Sequence, residues 1–448
     1  MNSIKKFNFE IQIWSKISNQ SLTVFKSLFG ILITYLAIRY IYFDFIKIAF
    51  INCDFSWPIW PTLTQKIPKS SLVYLNIALI IFGIQITRQK WANWPYIGFL
   101  LCYLPLFGFN YSYYQDHQLL IIIICILLTL TQNTKTSNSI VTEIWEVLIF
   151  KILFSGILFW RAIAYLNYDW LSGATYQATI HFSFAEQLPL LTQTLSITTI
   201  KYIIVFGLPI FELTSSILPW KTKKYLPFLW IILSFYSIVN SMIDSVFATS
   251  FTPILLILLS TLFLSPSYPT RLIEKLQKIL TSIIKINKKT SQNGTKEFDE
   301  NSKTTLFFIY AYIALQLLIP LNIYLRSSDA RWSKCYPVFA WTMKNSILNS
   351  VGYYTLKHPV SDQELLKVQC PREMTFSALS ILKYGHKLRD QYQKQYGISP
   401  DVYADIKKSI NKRPLVQWTD PTVNLSKITH KIGSDPSWIS PMPKDYFK

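Results

Sequence analysis

The residues of this chain best placed to do chemistry are ionisable side chains set inside long apolar runs. Arg39, Arg161 and Glu212 each interrupt such a run, and Asp116 with His117 stands at the mouth of another. A charge held in hydrocarbon costs about 3 kcal/mol on insertion scales, so it persists where it pairs, relays protons or meets a ligand. Arg161 and Glu212 fall in consecutive apolar segments, where an ion pair relieves the cost of burying each. Such a pair admits two readings, a tie between helices or the polar part of a site, and both stay open at this stage. His117 suits acid–base work because its unperturbed pKa lies near neutrality, and its plainer role is a hydrogen-bonded interface residue. The chain has no HExxH, Walker-type loop, GxSxG or paired-cysteine metal motif, so no metal centre is expected.

The elements that must position these groups follow from composition. Of 448 residues, 51% are hydrophobic and only 15% charged, against roughly 25% charged in soluble domains. The apolar residues gather into runs near the ~20 residues that cross a bilayer. Nine candidate spans result, over about 22–46, 71–87, 94–110, 118–131, 144–165, 198–218, 225–243, 250–265 and 305–325. The expected fold is mainly α: a polytopic transmembrane helical bundle of about nine helices, with the lipid bilayer as its first partner and a small C-terminal extramembrane α+β domain.

The net charge of +20 sits largely in loops between the runs. Placed there, it serves membrane orientation and not nucleic-acid binding. Lys5, Lys6 and Lys16, then Arg88 and Lys90, then Lys221, Lys223 and Lys224, then eight bases between Arg271 and Lys303 all fall on one side of a nine-span chain. The amino terminus is therefore expected in the cytoplasm and the carboxyl-terminal domain in the periplasm, extracellular space or lumen. The reading divides the chain into an interfacial tail (1–21), a bundle (22–325) with a basic cytoplasmic linker (266–304), and an outer domain (326–448). No removable signal peptide is evident, and FNFEIQIW reads as a surface-lying segment. In the outer domain the pattern predicts one helix over about 373–397 and a second over about 400–412, with Ser399-Pro400-Asp401 suiting its start. Cys102 and Cys125 fall in apolar runs, and one disulfide among Cys53, Cys335 and Cys370 suits an oxidising compartment.

Residues 166–173, Leu-Asn-Tyr-Asp-Trp-Leu-Ser-Gly, resemble the Leu-Asp-x-Asp-Trp-x-x-Gly segment of the vitamin K-dependent γ-carboxylases and of the wider horizontally transferred transmembrane family. The likeness continues in order. Ser21 to Lys26 with Leu28-Phe29-Gly30 is similar to the family's first span, Cys53 to its lumenal cysteine, and Asp116-His117 to its Asn-His pair. Glu212-Leu213-Thr214 resembles its Asp-Leu-Ser, and Leu264-Ser265-Pro266 its eighth-span exit. In the outer domain Ser380 to Tyr384, Pro400 to Ile406, Ser409-Ile410-Asn411, Asp420 to Asn424 and Ser437 to Pro441 extend it.

This resemblance implies an enzyme that oxidises vitamin K hydroquinone, or another quinol, with oxygen inside the membrane. The base so generated removes a γ-proton from glutamate in a secreted peptide, and carbon dioxide traps the carbanion. Such chemistry requires a site closed to water. The resemblance marks Tyr165, Arg161, His117 and Glu212 as the catalytic candidates, and Asp116, Asp169, Trp170 and Asn240 as binding candidates. They are expected to gather at the outward ends of spans four to six, roofed by the outer domain. The departures are specific. The family's lysine before the motif is Tyr165 here, and Tyr236 and Ser237 stand upstream of Asn240-Ser241 where the family has a histidine. Arg161 lies one helical turn from Tyr165, and a guanidinium cannot serve as a base in the lysine's place. Two readings follow: an oxidase or modifying enzyme in which orthodox carboxylation is altered, or a non-catalytic relative that binds a quinone, lipid or secreted polypeptide as a maturation or immunity factor. A transporter is disfavoured by the lack of inverted repeats.

Overall fold

The computed structural model describes residues 19–42, 68, 71–88, 93–109, 116–131, 144–175, 197–243, 251–264, 302–321, 332, 348–371, 378–429, 436–443 and 445–446. The first 18 residues, nearly all of the basic linker, Cys53 and Cys335 lie outside them, and no disulfide occurs among the described residues.

The apolar runs fold as helices: α1 (Asn19–Tyr42), α2 (Ser71–Arg88), α3 (Trp94–Phe109), α4 (Asp116–Thr131), α5 (Ile144–Ala164), α7 (Ile197–Lys221), α8 (Leu226–Ile243), α9 (Thr252–Ser260) and α10 (Ser302–Leu321). A single turn, α6 (Tyr168–Leu171), follows α5. Among the described residues four of these helices, α1, α2, α5 and α7, are long and apolar enough to cross a membrane; these four do not by themselves show the nine expected spans. The clearest departure is α9. It is nine residues long, about 14 Å at 1.5 Å per residue, and it continues only as a 3-10 turn, Thr261–Phe263. Seven of its nine residues are buried, so this apolar run faces protein and not lipid.

Helices α1 and α2 carry the same five-residue pattern, Gly30-Ile-Leu-Ile-Thr34 and Gly83-Ile-Gln-Ile-Thr87. They run antiparallel with the two glycines at the contact, where a Cβ on Gly30 would come within 2.5 Å of the Thr87 backbone nitrogen. Each threonine returns its hydroxyl to the glycine carbonyl four residues back, at 2.7 Å and 2.9 Å. At the ends of the contact Ser27 donates to the Thr87 carbonyl and buried Asn76 to the Ala37 carbonyl. Small residues and interhelical hydrogen bonds are what associate helices where lipid removes the hydrophobic drive. The outer faces, Ile31, Tyr35, Ile38 and Ile41 on α1 and Tyr202, Phe206, Ile210 and Ile217 on α7, stay exposed and apolar, as lipid contact requires.

Helix α5 packs against α7, α9 and α10. Prolines inside the partner helices set two of its anchors. Pro320 lacks the N–H that would bond the Gln316 carbonyl, and the Trp160 indole donates to that carbonyl at 2.9 Å. Pro209 likewise frees the Val205 carbonyl, which receives the Trp170 indole at 2.8 Å. Proline in a spanning helix is tolerated when a neighbour re-satisfies the freed backbone group, and in both places a tryptophan does so.

The outer domain is an antiparallel sheet in the order β2-β1-β3-β4, with β1 Leu348–Lys357, β2 Glu364–Gln369, β3 Asp401–Ile410 and β4 Val416–Gln417, covered on one face by α11 (Ala378–Tyr396). The first expected helix is observed as α11. The second is not: residues 401–410 form β3, paired with β1 over ten positions. Val402, Ala404, Ile406, Lys408 and Ile410 all point inward, a period of two. Lys408 fits there because its ammonium donates to the Trp332 carbonyl at 2.6 Å and lies 3.9 Å over the Trp418 ring. The core is completed by Tyr354, Leu356, Ile381, Trp418 and Trp438, the last donating its indole N–H to the Ala378 carbonyl at the start of α11.

Candidate functional site

The site is built along the antiparallel contact of α5 with α7. At one end the Trp220 indole donates to Ser155 at 2.6 Å. Midway Arg161 Nη2 lies 2.6 Å from Glu212 Oε1, with side-chain exposures of 2% and 3%. At the other end Trp170 reaches Val205. On α7 the residues Val205, Leu208, Glu212 and Ser215 recur at helical spacing, so the face that carries the carboxylate also packs on the aromatic end.

Among the described residues two carboxylates, Asp169 and Glu212, are buried and paired, and they differ. Asp169 is fully buried and receives Arg413 on both oxygens, at 2.7 Å and 2.9 Å, with Asn411 adding a third donor at 2.8 Å. Glu212 holds Arg161 on Oε1, while its Oε2 is buried with no hydrogen-bond partner. One turn on along α7, Ser215 bonds with Tyr225 and Ser216 donates to the Leu213 carbonyl. An unmet buried acceptor costs about 1–3 kcal/mol.

Tyr165 lies one turn after Arg161, its backbone nitrogen bonded to the Arg161 carbonyl. Its ring packs on Trp170 with centroids 4.2 Å apart, in an apolar cluster with Val205. The motif that follows is a joint. Asn167 caps α6 through the Trp170 nitrogen and returns its amide to the Ala164 carbonyl, closing α5. Gly173 takes φ +79 directly beneath the Lys201 side chain, a backbone conformation that residues with a Cβ rarely adopt. Asp169 then joins the bundle to the outer domain, meeting Arg413 and Asn411 from the β3–β4 turn, where Asn411 and Lys412 both hold positive φ, 54 and 62. Paired left-handed central residues are the type I′ pattern.

Arg161, Glu212, Tyr165 and Trp170 thus share one helix contact. His117 is buried edge-on against Phe251, with the Arg39 guanidinium 5.1 Å from that same ring. Its neighbour Gln118 donates to the Tyr40 hydroxyl. Asp116 opens α4, and Asn240 lies on α8; their side chains fall outside the described residues. Asp169 and Trp170, expected as ligand contacts, spend their polar atoms on Arg413, Asn411 and Val205. Sequence reasoning missed Arg413, Asn411 and buried Lys151, whose ammonium lies 5.1 Å from the Phe263 ring. Lys151 was findable as a cation inside an apolar run; nothing local pairs residue 169 with residue 413.

Residues 301–445 match the family model for the vitamin K-dependent gamma-carboxylase, lumenal domain. That segment begins with α10 and contains the whole outer sheet. No solved structure gives a significant match.

Proposed function

From the carboxylase-like assignment that this match supports, we propose that the chain is a membrane protein that binds a quinol between α5 and α7 and acts with it on a secreted peptide held by the outer domain. The observation that carries this is the Arg161–Glu212 pair, buried in an apolar bundle beside Tyr165, with one carboxylate oxygen lacking a donor. A hydroxylated ring with an apolar body fits such a place, because its O–H supplies the missing donor and its body matches the surrounding aromatic and aliphatic side chains. When bound, a quinol would supply reducing equivalents to oxygen. Arg161 would orient and neutralise an anionic oxygen, Tyr165 and Trp170 would wall the ring from water, and the α6 joint would hold that wall in register with the outer domain. Orientation with the amino terminus in the cytoplasm and the outer domain across the membrane belongs to the same proposal, on the basic loops.

The second reading, a binder without turnover, is favoured by one observation: Tyr165, standing where the resembled family has lysine, is packed on Trp170 in an apolar cluster. One experiment separates the two. Purified protein in nanodiscs is given vitamin K hydroquinone or menaquinol, and oxygen uptake is followed alongside the mass of co-purified peptide. Quinol-dependent uptake with a peptide mass gain of carboxylate size supports the enzyme; uptake alone indicates an uncoupled oxidase; saturable binding without uptake indicates the binder.

A further inference from the structure

We infer that Glu212 is the proton-accepting group of the bundle site. Asp169 shows how this chain finishes a carboxylate whose task is structural: a forked arginine on both oxygens and an amide besides. Glu212 is as deeply buried, yet it carries Arg161 on one oxygen and leaves Oε2 without a donor, although Ser215 and Ser216 stand one turn along the same helix, bonded to Tyr225 and to the Leu213 carbonyl. A tie between helices would close that oxygen; an acceptor must leave it open. The inference rests on the reading that a hydroxylated, quinol-class ligand enters this contact, and it names the residue that takes its proton.

The step balances within the pair. Oε2 takes the proton from the ligand hydroxyl, the O–H electron pair stays on the ligand oxygen, and Glu212 becomes a neutral acid. The new anion faces Arg161 in place of the carboxylate. One cation and one anion are buried before and after, so no net charge is created in the apolar interior, the event that would cost most there.

The test is infrared difference spectroscopy on the full-length protein in nanodiscs, recorded without oxygen as menaquinol is added, with binding measured separately by tryptophan quenching. The wild type should lose a carboxylate stretch and gain a protonated carboxyl band. Glu212→Gln should lack both bands and bind menaquinol about tenfold more weakly. Glu212→Asp should restore the band pair, and the double variant Arg161→Gln/Glu212→Gln, which leaves no charge unpaired, controls for folding. If the wild type binds menaquinol and Glu212→Gln keeps the band pair, the assignment to Glu212 is overturned while the quinol reading stands. If the wild type binds no menaquinol, the quinol reading falls and this inference with it.

Discussion

Trp170 and Val205 are joined by a 2.8 Å hydrogen bond that a third residue makes available, because Pro209 has no N–H to offer the Val205 carbonyl one turn earlier in α7. The bond ties α6, just past the end of α5, to α7 and holds the ring on which Tyr165 packs. It makes the loop motif and the proline a single device.

The two residues should therefore be coupled. Trp170→Phe keeps a ring but strands the carbonyl, and should cost about 1–3 kcal/mol. In a Pro209→Ala background residue 209 recovers its own N–H, so the same change should cost at least about 1 kcal/mol less. Thermal unfolding of the four proteins in detergent measures the cycle; equal costs in both backgrounds would refute the device.

Arg413→Gln leaves the Asp169 carboxylate buried without its cation. Breaking a buried pair from one side costs about 3–5 kcal/mol, and that much loss of stability is expected. Asp169→Asn with Arg413→Gln should recover a large part of it, since no buried charge is then left over. Chemical denaturation of single and double variants checks both statements.

Glycine substitutions should rank by what a Cβ meets. Gly30→Ala runs into the Thr87 backbone and should be the most damaging of the α1, α2 and α7 glycines, by about 1–3 kcal/mol; Gly83→Ala meets mainly the Thr34 hydroxyl and should be milder. Gly207→Ala meets nothing within 4 Å and should be neutral or stabilising by up to about 1 kcal/mol. Melting temperatures that fail to follow this order would contradict the close α1–α2 contact.

Lys383 on α11 is half-buried, and burial lowers its pKa to about 8. At pH 8 roughly half of it is a free amine, against under about 1% for an ordinary lysine. Competitive amine labelling at that pH should therefore mark Lys383 well ahead of the exposed Lys394. The folded pKa lies below the unfolded one, so the outer domain carries a penalty that is full below pH 8 and fades as pH rises toward 10.5. Lys383→Met should remove this gain between pH 8 and 10.5.

Much of the bundle was legible because each apolar run has the length and content of a helix, and Arg161 and Glu212 stand out as charges in consecutive runs. The strand β3 was not. In Asp401–Ile410 the residues Val402, Ile406 and Ile410 satisfy helical i, i+4 spacing and strand alternation equally, and Pro400 imitates a helix start. Lys408 removes the deciding letter, since a lysine reads as outward-facing until Trp332 and Trp418 are seen around it. The length of α9 was hidden for another reason: an apolar run reports burial, and burial in protein looks like burial in lipid. The pairing of Asp169 with Arg413 has no local signature, because its partners are brought together only by the completed sheet and its turn.

That pairing sets an order of events during synthesis. Asp169 leaves the ribosome 244 residues before Arg413, which at ordinary elongation rates is roughly 12–50 s. Through that interval the nascent bundle presents an acidic side chain whose cation has not yet been made, and whose final place is shut from water. A message cut short after α10 would leave it so permanently, giving cellular proteolysis a mark by which to remove the fragment.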